Sequence, residues 1–260
     1  MLELYHWEPN TCFLKPLVAL CEKQASFTSR WFDPTALEQF APGYPTNTES
    51  ALQLEREGPI LVQGSALISG SFFLLEYIND AVPGEDLCPG DAYQHYRARA
   101  WGQVLAAVNA GVSALGCARY LAPVLRNRDP AVLQAQLASI EPLERRRAWA
   151  AVTDGTYGEQ TLATIRGRLE GPVARIEQTL AGTPWLTGAA YSIADIEAFC
   201  LLDPLPGLAP EVVNDRTTPR TLAFLARMRE RDAVKAAFAM SRSGRPQEAF
   251  VPGPEPSRWG

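Results

Sequence analysis

Apolar and polar positions alternate with a period near two at the start of the chain and with a helical period over most of its remaining length. Residues 2–7 alternate as a short strand, and Glu8-Pro9-Asn10 then supplies turn chemistry that ends it. From about residue 12 to 23, Leu14, Leu17, Val18, Leu20 and Cys21 recur at helical spacing, with Pro16 placed where a first turn tolerates proline. Residues 27–32 read as a second strand, and 33–48, carrying Pro34, Pro42, Gly43 and Pro45, as a long irregular stretch. Pro59 then opens a strand, Gly64-Ser65 folds residues 60–69 into a hairpin, and a helix runs from Ser71 to about residue 80. The order is strand, helix, strand, long loop, hairpin, helix.

Pro83, Gly84, Pro89 and Gly90 mark a linker over residues 81–90, and beyond it the period is helical throughout. Helices are predicted over residues 92–125, 130–139, 143–152, 158–180, 193–202 and 221–240, separated by proline and glycine clusters as in a helical bundle. The fold class is therefore α/β plus all-α, with an N-terminal domain over residues 1–85, an all-helical domain over 86–240 and a Pro/Gly-rich tail over 241–260. Ser192 followed by Asp195 reads as an N-capping pair at a buried helix start, a structural role.

Composition narrows the function classes. A formal net charge of -5 argues against an electrostatic grip on nucleic acid or an anionic membrane surface. The N-terminal residues carry no leader-like pattern, and no run approaches the roughly 18 apolar residues of a membrane span, so a cytoplasmic location is the expectation. The 5 cysteines, Cys12, Cys21, Cys88, Cys117 and Cys200, are odd in number and unpaired in spacing, which suits reduced thiols. With 2 histidines and no Cys-x-x-Cys, no metal site is expected.

Three local patterns carry a resemblance. They are the stretch from Pro59 to Tyr77, the run Gly182-Thr183-Pro184-Trp185-Leu186-Thr187-Gly188 leading into Ser192 and Asp195, and Leu14-Lys15-Pro16-Leu17 with Phe32-Asp33-Pro34. Together they resemble the glutathione transferase superfamily, and the third resembles its bacterial subgroup that cleaves β-aryl ethers of lignin-derived aromatics. The resemblance implies a thioredoxin-like N-terminal domain, glutathione as cofactor, a small aromatic ether as substrate and a two-fold dimer, either a homodimer or a heterodimer with a catalytic paralogue. It also implies that Ser71 takes the γ-glutamyl carboxylate of glutathione, and that a cis bond before Pro59 exposes the Gly58 backbone to its cysteine.

Two positions depart from that pattern. The hydroxyl residue that aligns the glutathione sulfur is implied directly before Leu-Lys-Pro, where this chain has Phe13. The acidic residue that pairs with the glutathione ammonium is implied directly before Ser71, where this chain has Gly70. A hydrogen bond to a charged group contributes about 1.5–3 kcal/mol, so the second loss weakens binding by roughly 10- to 100-fold unless a partner chain supplies a replacement. Thr11 and Cys12 are the nearby candidates for the missing hydroxyl, and a thiol near a helix N-terminus is open to activation. The expectation is a dimer-forming subunit with a degraded glutathione site; the alternative is an active β-aryl ether-cleaving transferase. Trp7, Tyr120, Trp149 and Tyr157 are candidates for an aromatic pocket, Arg145-Arg146-Arg147 reads as a solvated helix face, and His6 as a strand-end residue.

Overall fold

Alternating and β-rich segments at residues 2–6, 28–31, 60–63 and 66–69 meet in one sheet. In the computed structural model of the protein, residues 1–41, 43–45, 58–140 and 143–252 are described; Pro42, residues 46–57 of the long loop, residues 141–142 and residues 253–260 of the tail lie outside them. The strands are β1 (Leu2–His6), β2 (Thr28–Trp31), β3 (Ile60–Gln63) and β4 (Ala66–Ser69), in spatial order β2-β1-β3-β4. β1 runs parallel to β2 and antiparallel to β3, and β3 antiparallel to β4. The register sets Leu4 opposite both Ser29 and Leu61, which brings Leu4 and Leu61 into the core.

Helix α1 (Thr11–Glu22) crosses between β1 and β2, and α2 (Ser71–Ala81) follows β4. This is the thioredoxin-like arrangement. Pro16 lies in the second turn of α1, further inside than expected, so it has no N–H to give to the carbonyl of Cys12. The Gly58–Pro59 bond is trans, where the resemblance implies cis. Trans is the lower-energy isomer of an X-Pro bond by about 0.5–1 kcal/mol.

The helical part begins with α3 (Ala92–Gly116), which continues through a π-type turn at Cys117–Leu121 into α4 (Ala122–Arg126). By length and composition this continuous 35-residue stretch could cross a membrane, contrary to the expectation that no segment reaches that threshold. More than half of its most apolar window is buried inside the protein, as in a core helix. The bundle is completed by α5 (Pro130–Ala138), α6 (Leu143–Ala151), α7 (Glu159–Gly182), α8 (Ile193–Leu202), α9 (Leu205–Leu208), α10 (Pro219–Arg229) and α11 (Asp232–Phe238). The stretch predicted as one helix over 221–240 is thus two, broken at 230–231.

Every residue of α8 is buried, and its start is fixed as the sequence predicts. The Asp195 carboxylate accepts from the N–H and hydroxyl of Ser192 and from the N–H of Leu186. Burial pushes its pKa up to about 6 against those hydrogen bonds. α1 packs on α2, α8 and α11, so it lies between the two halves of the molecule. At its far end Glu22 accepts a bidentate pair of hydrogen bonds from Arg231, at 2.6 and 3.0 Å, and one from the Tyr191 hydroxyl.

Candidate functional site

The site forms where β1 gives way to α1. Asn10 caps α1 in an extended conformation, and Thr11, its first residue, has φ +43°. A β-branched residue rarely adopts that region, at a cost of about 1–2 kcal/mol, and such strain concentrates at functional sites. Thr11 is buried and Cys12 half-buried. Phe13 is fully buried; its ring meets Phe32 edge-on at 5.8 Å, and Val251 of the tail completes a small apolar cluster against which Cys12 packs. The side chain where the resemblance implies a hydroxyl is thus committed to packing.

The tail is anchored over this point. Glu8 is 1% exposed, and its carboxylate accepts from the Ser241 hydroxyl at 2.5 Å and from the backbone N–H groups of Arg242 and Ser243, each at 2.9 Å. Asn10 donates to the Ala249 carbonyl, the Arg242 guanidinium covers the Trp31 ring at 4.7 Å, and Phe250 stacks on Tyr120 with centroids 5.9 Å apart. Residues 241–252, irregular apart from a single turn at Pro246–Glu248, are therefore a strap packed onto the rest of the molecule. Arg145 departs from the solvated helix face expected of it. It is buried and donates to the Pro252 carbonyl, so it is no part of a solvated face, while Arg146 donates to the Ile140 carbonyl.

Between the strap and α3–α4 lies a cavity of about 400 Å³, lined among others by Trp7, Glu8, Tyr120, Val124, Arg245 and Phe250. Two of the four aromatic candidates, Trp7 and Tyr120, reach it. Trp149 is buried core and Tyr157 packs against the core. His6 bonds the Trp7 carbonyl through Nδ1 and the Ser29 hydroxyl through Nε2, each at 2.7 Å, and burial holds its pKa low. A neutral ring with both nitrogens engaged is a structural element.

At the other end, Ser71 opens α2 with Gly70 as its N-cap and no side chain capping the helix. Gly70 has φ +83°, and a Cβ there would stand 2.9 Å from the Phe73 ring, so this backbone itself favours glycine over an acidic residue. The Ser71 hydroxyl oxygen accepts from Lys15 Nζ at 3.1 Å, and the same ammonium pairs with Glu197 Oε1 of α8 at 2.9 Å. Lys15 and Glu197 are both buried. Sequence reasoning missed Glu197 and gave Lys15 no role; the only signal was a lysine inside an otherwise apolar helix.

The donor set fits one end of glutathione. The first-turn N–H groups of α2, which have no partner within the helix, and the Ser71 hydroxyl suit a carboxylate. The ammonium partner and the thiol-aligning hydroxyl have no equivalent at positions 70 and 13. Gly58 and Pro59 lead into β3 beside this end.

Residues 149–240 match the family model described as glutathione S-transferase, C-terminal domain. The chain is 26% identical over 248 residues to Protein LigF of Sphingobium sp. (strain NBRC 103272 / SYK-6), covering 93% of this chain and 94% of that protein. The crystal structure of that protein, described as a beta-etherase, superposes with a TM-score of 0.83 over 92% of this chain and 99% of that one. A tetrachloro-p-hydroquinone reductive dehalogenase of Sphingobium chlorophenolicum is 26% identical over 250 residues, 92% of this chain and 96% of that protein. A glutathione transferase family member from Pseudomonas fluorescens, solved with two glutathione molecules bound, shares the fold at 17% identity, with a TM-score of 0.67 over 91% of this chain and 92% of that one.

Proposed function

We propose that this chain, similar in sequence and fold to the glutathione S-transferase superfamily and to a β-etherase within it, is a dimer-forming subunit that keeps a glutathione-shaped pocket and an aromatic cavity without the means to activate the thiol. The observation that carries the reading is Phe13. Its ring is closed between Phe32 and Val251, so nothing at that position donates to a sulfur. The free thiol, with a pKa of roughly 8.5, is a weak nucleophile at neutral pH without such help. Gly70 adds a second deficit at the ammonium end, and the retained Ser71 leaves the carboxylate end competent.

The cavity lined by Trp7, Tyr120 and Phe250 suits a flat aromatic ligand, since rings stack or meet edge-on with such walls. Exposed Phe73, Tyr93 and Tyr96 on α2 and α3 support a subunit contact, with a second copy or a catalytic paralogue as partner. The test is glutathione-dependent cleavage of a model β-aryl ether by the isolated protein. The reading expects no cleavage above the uncatalysed rate; robust turnover overturns it.

The strained backbone at Thr11 favours one competing reading, an active enzyme. There the glutathione sulfur attacks the β-carbon, a C–S bond forms as the C–O bond breaks, and the phenolate leaves to take up a proton. Thr11 or Cys12 would then align the sulfur, and replacing both with Ala would abolish turnover.

A further inference from the structure

Lys15 is a cation where an amphipathic helix would place a hydrocarbon. It is 1% exposed on the face of α1 that meets both α2 and α8, and its ammonium reaches two partners from different parts of the chain, Ser71 Oγ at 3.1 Å and Glu197 Oε1 at 2.9 Å. The second carboxylate oxygen, Glu197 Oε2, is buried with no hydrogen-bond partner among the described residues. A buried ion pair with an unsatisfied oxygen contributes little to stability beside an apolar pair of similar volume, so its geometry asks for another explanation.

That explanation lies at Ser71. An ammonium has donors and no acceptor, so at this contact the serine oxygen must accept. Its own proton is thereby turned away from Lys15, and Ser71 is half-buried at the start of α2, where the first-turn N–H groups have no partner within the helix. Without Lys15 the hydroxyl would be free to rotate and to offer a lone pair instead. With it, one lone pair is occupied, the hydroxyl proton is directed away from the ammonium, and a positive charge stands directly behind the group.

We propose that Lys15, clamped by Glu197, is the positioning residue of the carboxylate subsite at Ser71, so that docking of α8 against α1 presets the group that receives the γ-glutamyl carboxylate of glutathione. The inference rests on the reading that the chain binds glutathione. Lys15 touches no ligand itself; it acts through Ser71.

The test is an NMR titration of the full chain with glutathione and with an analogue whose γ-glutamyl α-carboxylate is converted to the amide. The proteins are wild type, Lys15→Met/Glu197→Leu, which removes both charges together, Ser71→Ala, and the combination of all three substitutions. The pair variant is expected to lose roughly 10-fold in glutathione affinity and nothing toward the amide analogue, and to lose nothing further in the Ser71→Ala background. Equal losses for both ligands, or an additive loss in the combined variant, overturn the assignment, because a purely structural role would lower both. If wild type binds neither ligand, the glutathione reading fails, and this inference with it. If wild type binds glutathione with no dependence on the carboxylate, only this inference fails. Should the pair variant not fold, the Lys15 ammonium resonance of wild type decides: it is expected to shift with glutathione and to stay still with the amide analogue, and a resonance that moves equally with both overturns the assignment.

Discussion

The carboxylate of Glu8, at the end of β1, accepts the backbone N–H of Ser243 at 2.9 Å, and this bond with its two neighbours fastens the C-terminal strap to the loop that starts α1. Because the carboxylate is buried, its loss leaves several donors without partners. Glu8→Ala is expected to cost about 2–3 kcal/mol of stability and to speed amide exchange across residues 241–252 while α8 remains protected. Hydrogen exchange read by mass spectrometry checks this; unchanged protection of the strap would show that other contacts hold it.

Phe13 is predicted to behave as a core residue. Phe13→Ser removes a fully buried ring from the cluster with Phe32 and Val251, so about 3–4 kcal/mol of stability should be lost in chemical denaturation. The new hydroxyl lies in the buried cluster with Phe32 and Val251, so no ether cleavage is expected from this change alone.

Gly70→Ala tests the other departure. The positive φ costs an L-residue about 1 kcal/mol, and the added methyl must displace the Phe73 ring. A destabilisation of about 1–2 kcal/mol is expected in urea unfolding. Gly70→Glu should show the same cost, so restoring the carboxylate does not come free of strain.

Asp195 gives a signed pH dependence. Burial raises its pKa from an ordinary 3.8 to about 6, so the folded protein holds this proton more tightly than the unfolded chain does. The stability linked to it is full below about pH 4 and is lost as pH rises through about 6, a swing of about 3 kcal/mol. Unfolding free energies of wild type and Asp195→Asn between about pH 4 and about pH 7.5 are expected to differ in slope, with wild type falling more steeply toward neutral pH.

What the sequence made legible were features written in a few neighbouring residues. The Ser192–Asp195 cap, the hairpin around Gly64-Ser65 and the helix start at Ser71 each depend on contacts within one turn of chain, and each forms where its pattern lies. The strap was not legible. Glu8 meets Ser243 and Arg145 meets Pro252 across long stretches of chain, and a Pro/Gly-rich composition carries no record of such partners. The same holds for Lys15 and Glu197, a pair visible only once α1 and α8 are set side by side. The break at 230–231 escaped because Arg231 does not interrupt a helical period; it turns away to bind Glu22.

A pocket that keeps its carboxylate end but lacks an ammonium partner and thiol activation should hold glutathione weakly and leave it unreactive. The decisive measurement is a titration of the isolated protein with glutathione, followed by an assay for β-aryl ether cleavage on the same sample. Weak binding, with a Kd on the order of 1 mM, and no cleavage are expected. Binding at roughly 1 μM together with ether cleavage would show an intact, active site instead.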